Sequence, residues 1–212
     1  MDWKMFGTVR GSGAEAPVAI GNFGDVGVSQ FLPPKALLAA ANAAYVIEDG
    51  TARAAVTAVP ASTTSLFGLW NGEEDGGKVY VIDRIGLTIA AQAATTTFAA
   101  RLYFNMTRLR QSAPTASGTI APLGGGGVGS KARGVATPTV VAADGHYGIG
   151  FSANGLNDVE TTAPAFGVDI PVEGGILLRP GRTLAFNIFA TSTSVTGHIS
   201  VFWHEVQLPL SG

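Results

Sequence analysis

The chain has 212 residues, 46% of them hydrophobic and only 13% charged, with a net charge of −2 and no cysteine. One domain is the default at this length. No basic stripe of the kind that binds nucleic acid appears, and the absence of cysteine excludes disulfides, thiolate metal sites, iron–sulfur clusters and cysteine nucleophiles. Much of the apolar content is Ala and Val, and glycine is plentiful, a mix that suits short strands and tight turns better than long helices. The low charge leaves a neutral surface that favours association.

The first residues, "MDWKMFGTVRGSG", lack the charged-then-apolar order of a signal peptide. No apolar run reaches the ~20 residues that span a bilayer. The expectation is a protein made in a cytoplasm and not inserted in a membrane. Residues 1–25 are Gly-rich and aperiodic and read as an extended N-terminal arm, followed by a single domain over 26–212. "VGVSQF" (26–31) is a first strand candidate, and the Pro33–Pro34 pair opens a short helix over 35–42. Ala43 to Glu48 reads equally as a strand ending at the "EDG" turn.

From residue 53 onward strand signals dominate: "RAAVTAV", "LFGLWN", "KVYVIDRIGLTIA", "TTFAARLYFNM", "HYGIGFS", "GGILLR", "RTLAFNIFA" and "HISVFWHEVQL". Most alternate, and turn residues bound them. In "KVYVIDRIGLTI", Asp83 interrupts the face of Val79, Val81, Ile85, Leu87 and Ile89, which predicts a bulge near Arg84. Pro180–Gly181 is a turn signal between two runs. Residues 111–139, rich in Gly, Ser, Thr and Pro, read as one long loop. Many antiparallel strands with irregular loops predict an all-β, antiparallel β-sandwich of the jelly-roll type.

Several stretches imitate chemical motifs, and each fails on spacing or context. In "GGGGVGSK", Gly124, Gly126 and Gly129 match a dinucleotide fingerprint, but no helix follows, and the order Gly-Ser-Lys misplaces a P-loop lysine. Ser152 in "GIGFSANG" approaches a nucleophile elbow, but Asn154 stands where glycine is required. His198 and His204 fall on one strand face but roughly 20 Å apart, too far to share a metal, and His146 has no partner at ligand spacing. The acids Glu73, Glu74 and Asp75, set among Gly72, Gly76 and Gly77, lack the alternating spacing of a calcium loop and read as a wet hairpin tip. Arg101, Arg108 and Arg110 read as a solvated rim. Asn105–Met106–Thr107 is a glycosylation sequon. Trp70, Phe202 and Trp203 fall in strands, where core or subunit interface is their expected place; Trp70, Tyr147 and Trp203 are the candidate interface or ligand contacts.

"VPASTTSLFGLWNGEEDGGKVYVIDRIGLTI" resembles a pattern found in virion-associated proteins of tailed bacteriophages: a Thr-rich lead-in, an apolar strand, Asn with Gly and acids, then a Lys-led alternating strand. "GGILLRPGRTLAFNIFATSTSVTGHISVFWHEVQLP" is similar to the same group through its Pro-Gly turn, Thr/Ser turn and closing strand with Trp and an acid. The resemblance covers about half the chain and implies a jelly-roll structural protein that self-associates, commonly as a trimer, with no catalytic residue. The expectation is therefore a non-enzymatic virion subunit made in the host cytoplasm: a capsid decoration, spike or vertex protein. Its partners would be copies of itself and other virion proteins, without nucleic acid, membrane, metal or cofactor. A receptor- or glycan-binding virion module using Trp70, Tyr147 and the 111–139 loop is the alternative; a major shell-forming subunit is the third.

Overall fold

The computed structural model describes residues 6–8, 15–17, 34–58, 64–91, 98–126, 129–140, 147–155, 166–190 and 193–207. Internal packing divides the chain into two units, Met1–Leu37 and Leu38–Gly212. In the first, β1 (Phe6–Thr8) and β2 (Glu15–Pro17) pair antiparallel, so part of the segment expected as an extended arm is a hairpin. The rest of that arm and the strand expected at 26–31 lie outside the described residues.

Helix α1 runs Pro34–Ala40. It ends where Asn42 takes a left-handed φ of 52° and the Asn42 and Ala43 amides donate to the Ala39 and Leu38 carbonyls. Asn tolerates that conformation, so it serves as the cap. The strands that follow are β3 (Ala44–Glu48), β4 (Arg53–Ala54), β5 (Phe67–Trp70), β6 (Val79–Ala91), β7 (Phe98–Met106), β8 (Thr119–Pro122), β9 (Arg133–Ala136), β10 (Tyr147–Gly155), β11 (Phe166–Leu178), β12 (Thr183–Ala190) and β13 (Thr196–Val206).

They form two antiparallel sheets in a sandwich-like arrangement. One has the order β10-β7-β12-β5-β9; the other has the order β11-β6-β13-β3-β8, with β4 beside β13. Leaving aside β4, β8 and β9, the pairing is nested: β3 with β13, β5 with β12, β6 with β11 and β7 with β10. The first strand meets the last, the second the second-last, and so inward. One core lies between the sheets. β3, β6 and β13 supply Tyr45, Ile47, Ile82, Ile85, Leu87, Val201 and Trp203; β5 and β12 supply Phe67, Leu69, Leu184, Phe186 and Ile188. Along β13 buried and half-buried residues alternate without exception, as a strand with one face on the core requires.

The bulge expected near Arg84 is present. Arg84 pairs with Phe202 and Ile82 with Trp203, so Asp83 is left over on β6. It changes the phase of the strand: apart from Val79 at the strand's start, the buried residues are Tyr80 and Ile82 before it, and Ile85, Leu87 and Ile89 after it. The single alternating face that strict periodicity drew through Val79, Val81 and Ile85 is therefore corrected. A second correction concerns residues 111–139, which hold two short edge strands, β8 against β3 and β9 against β5, tied by Ser117 N–H donating to the Gly134 carbonyl at 2.7 Å. A third concerns β11, which begins well before "GGILLR". Its first half carries Pro171, tolerated because β11 is an edge strand.

Candidate functional site

Residues 71–78 connect β5 in one sheet to β6 in the other. They are a crossover rather than a hairpin tip, which corrects the sequence reading. Asn71, fully buried, organises it. Its side-chain amide donates to the Lys78 carbonyl (3.0 Å) and the Leu178 carbonyl (2.9 Å), and its side-chain oxygen accepts from the Glu73 amide (3.0 Å). The backbone of Asn71 locks onto the Pro-Gly turn: its N–H donates to Arg182 O at 2.9 Å, and its carbonyl accepts from Gly181 N at 2.7 Å. The three acids then part. The Glu73 carboxylate turns inward and meets Lys131 Nζ at 3.3 Å. Glu74 and Asp75 stay exposed and share Arg110, at 3.1 and 2.8 Å. Exposed pairs of this kind add little stability, but they leave each of these carboxylates with a cationic partner.

Beneath the crossover lies a buried polar cluster that no sequence motif marks. The Glu205 side chain is 1% exposed and receives Lys78 Nζ at 2.8 Å. Its other oxygen accepts a hydrogen bond from the Ser130 hydroxyl, which in turn accepts from the Ala132 amide at 3.1 Å. The hydrogen bond to Glu205 pushes the Lys78 ammonium above its usual range, the outcome opposite to a lysine used as a base. The arrangement works as a clamp, fastening the Gly-rich loop that carries Ser130 to β13 and to the start of β6. Gly124 in that loop lies so close to the helix end that a Cβ there would fall 1.9 Å from the Ala39 carbonyl oxygen. Close approach is thus a structural reason for glycine there, and no phosphate-binding helix follows the loop.

Tyr45 and Tyr80 flank the cluster, stacked on Trp203 with ring centroids 5.7 and 6.0 Å away. The Tyr45 hydroxyl donates to the Asn42 carbonyl at 2.5 Å. The Tyr80 hydroxyl lies near Ser130 and the Gly72 backbone but meets neither at hydrogen-bonding geometry. Burial pushes the Tyr80 phenol far above its usual 10.0. The sign follows: below pH 10 folded and unfolded phenols are both neutral, and above it only the unfolded one ionises, so stability declines with rising pH. Tyr80→Phe removes a buried donor that lacks a partner. Its expected effect at pH 7 is no loss of stability and a gain of up to about 1 kcal/mol, with a shallower decline of melting temperature between pH 9 and 11. Thermal melts across that range check both; a large loss at pH 7 would show that the hydroxyl has a partner.

The three candidate contact residues do not come together. Trp203 has no exposed surface and sits in the core, and Trp70 is 6% exposed on β5 under the Arg133 guanidinium, 5.6 Å from the ring. Trp203 therefore takes the core place that was one of its two expected ones, whereas Trp70 lies on the face of β5 opposite Phe67 and Leu69 and is buried there. Tyr147, on β10 at the far edge of the sheet from β9, is 53% exposed and tilts against Phe104. His198 and His204 are held by oxygen partners, the Asp49 carbonyl at 2.9 Å and the Asp83 carboxylate at 3.0 Å; His146 lies outside the described residues. Ser152 is inside β10, paired in register with Arg101, and not at a strand-to-helix turn. Strand β10 continues through Asn154 to Gly155. The sequon is sealed, with Asn105 and Thr107 both buried. Among the described residues no group of three or more His, Asp or Glu could hold a metal ion. No protein-family model matches the chain, and no match emerges among curated proteins or solved structures.

Proposed function

We propose that this chain is a non-enzymatic, self-associating structural subunit of a bacteriophage particle, a jelly roll that decorates the capsid or forms a spike or vertex, with a trimer as its simplest assembly. The observation that carries the reading is the nested strand pairing. A chain folded first into one long hairpin and then rolled pairs its first strand with its last and splits alternate members between two sheets. That is the logic of the jelly roll, an architecture recurrent in viral capsid and lectin domains and in cupins. The polar clusters support a structural role: Glu205, Lys78 and Ser130 fasten a loop, and Glu73, Glu74 and Asp75 are engaged by Lys131 and Arg110.

Partners would be further copies of the chain and other virion proteins. The test is light scattering after size exclusion at micromolar concentration. The expected result is a discrete oligomer, most simply a trimer; a stable monomer overturns the reading. A glycan-binding virion module is the second reading, favoured only by the exposed Tyr147 at a sheet edge; the burial of Trp70 removes the larger part of its expected platform.

A further inference from the structure

We propose that the cavity between the Pro-Gly turn and the acidic crossover binds a small organic oxyanion, about the size of a sugar acid. The cavity has a volume of about 250 Å³. Two arginines line it, Arg179 and Arg182, and neither has a carboxylate partner among the described residues. Several other cations of the described residues have carboxylate partners: Arg53 with Asp49, Lys78 with Glu205, Arg84 with Asp169, Arg110 with Glu74 and Asp75, and Lys131 with Glu73; Arg133 instead donates to the Pro114 carbonyl. Asp75 also lines the cavity and could have neutralised it, but its carboxylate is held 2.8 Å from Arg110. Arg182 Nη1 is buried without a hydrogen-bond acceptor among the described residues. A donor in that position is costly to leave unmatched, and an incoming anion whose field reaches the guanidinium offsets that cost.

The turn that carries both arginines is rigid. Proline fixes the backbone of its first central position, and Gly181 supplies the second at φ 70°. Arg182 N–H closes the turn on the Arg179 carbonyl at 3.2 Å, and Asn71 holds it from both sides. The Arg110 side chain lies over Gly181, where any Cβ would fall 2.4 Å from its Cγ. The backbone that carries both side chains is thus set in advance, and their planar forks favour carboxylate or phosphate over a neutral ligand. The opposite wall is apolar. Val79 is buried, and Leu177, one of the exposed large apolar side chains of the described residues, is 44% exposed at the edge strand. Such a wall suits the carbon body of the ligand, and the volume suits one ring rather than a polymer. This inference is independent of the assembly proposed above, since the cavity is complete within one chain.

The experiment is calorimetric titration of the whole protein, with thermal shift in parallel, using glucuronate, glucose 6-phosphate and glucose at matched ionic strength. Glucuronate and glucose 6-phosphate separate carboxylate from phosphate as the recognised group, and saturable binding of either supports the site. Glucose is expected not to bind. Arg179→Gln and Arg182→Gln are each expected to weaken binding at least about tenfold, the loss of one charge-assisted hydrogen bond. Arg101→Gln, which changes a guanidinium outside the cavity, is expected to leave binding unchanged. Equal binding of glucose, no saturable binding of either anion in the millimolar range, or an equal effect of Arg101→Gln overturns the proposal. If Arg182→Gln fails to fold, the exposed Arg179→Gln and the wild-type titrations decide the matter.

Discussion

Trp203→Ala is expected to cost about 4 kcal/mol and to lower the melting temperature by about 8–16 °C for a chain of this size. Trp203 has no exposed surface, stacks on Tyr45 and Tyr80, and sits on β13, the strand that pairs with β3 on one side and β6 on the other. Truncation leaves a cavity between three strands, and sheets held by ladder hydrogen bonds do not collapse freely into it. Two rings lose their stacking partner in the same step. Trp203→Phe separates area from shape. It keeps an aromatic plane and removes the buried indole N–H that lacks an acceptor, so its expected cost is smaller, about 1–2 kcal/mol. Denaturant titrations of both variants check the order. If the alanine variant loses less than the phenylalanine variant, Trp203 does not hold the core as described. A loss of about 4 kcal/mol is a large part of the 5–15 kcal/mol that domains commonly possess.

The placement of Trp203 was legible from the strand to which it belongs. "HISVFWHEV" alternates cleanly, and the structure repeats that alternation residue by residue. The bulge on β6 was legible for the same reason, since Asp83 breaks an apolar face and a charge there forces either burial or a change of phase. Edge strands were not legible. β8 and β9 each pair with a single neighbouring strand; β8 has no buried residue and β9 buries only Gly134 and Val135, so they need neither bulk nor alternation, and the Gly, Ser and Thr around them look like loop. Pro171 hid the first half of β11, because proline argues against a strand unless that strand is an edge.

Strand partners were the other blind spot. Hairpins and crossovers use the same turn residues, so "NGEEDGG" carries no record of which sheet receives the next strand. What distinguishes them is Asn71, whose side chain reaches the Leu178 carbonyl, a contact set by topology and invisible to periodicity. The clamp left a fainter trace. Glu205 occupies an inward position two residues after Trp203, and a lone acid on a buried face requires a partner. Lys78 just ahead of β6 and Ser130 beyond the glycine run were present as residues, but only the antiparallel register of β6 and β13 brings the first of them to Glu205.

That asymmetric burial defines the second large effect. Lys78→Met is expected to cost about 3 kcal/mol, and Glu205→Gln only about 1 kcal/mol. The Lys78 side chain is 43% exposed, whereas the Glu205 side chain is 1% exposed. Removing the acid frees an ammonium that already reaches water. Removing the lysine strands a carboxylate that does not, with only the Ser130 hydroxyl still donating to it. The alkaline limb gives a separate signature. Lys78 is raised in the folded state, chiefly by its hydrogen bond to Glu205, so its contribution is fully present below the unfolded value of 10.5 and is lost as pH rises through the higher folded one. Lys78→Met is therefore expected to lose stability at pH 7 and to show a flatter decline above pH 10 than the parent chain. Lys78→Met combined with Glu205→Leu, which replaces the pair by apolar groups of similar bulk, is expected to recover most of the single-variant loss. Equal costs for the two single variants, or no recovery in the double one, would mean that the pair behaves as a solvated surface contact rather than as the clamp on the Gly-rich loop.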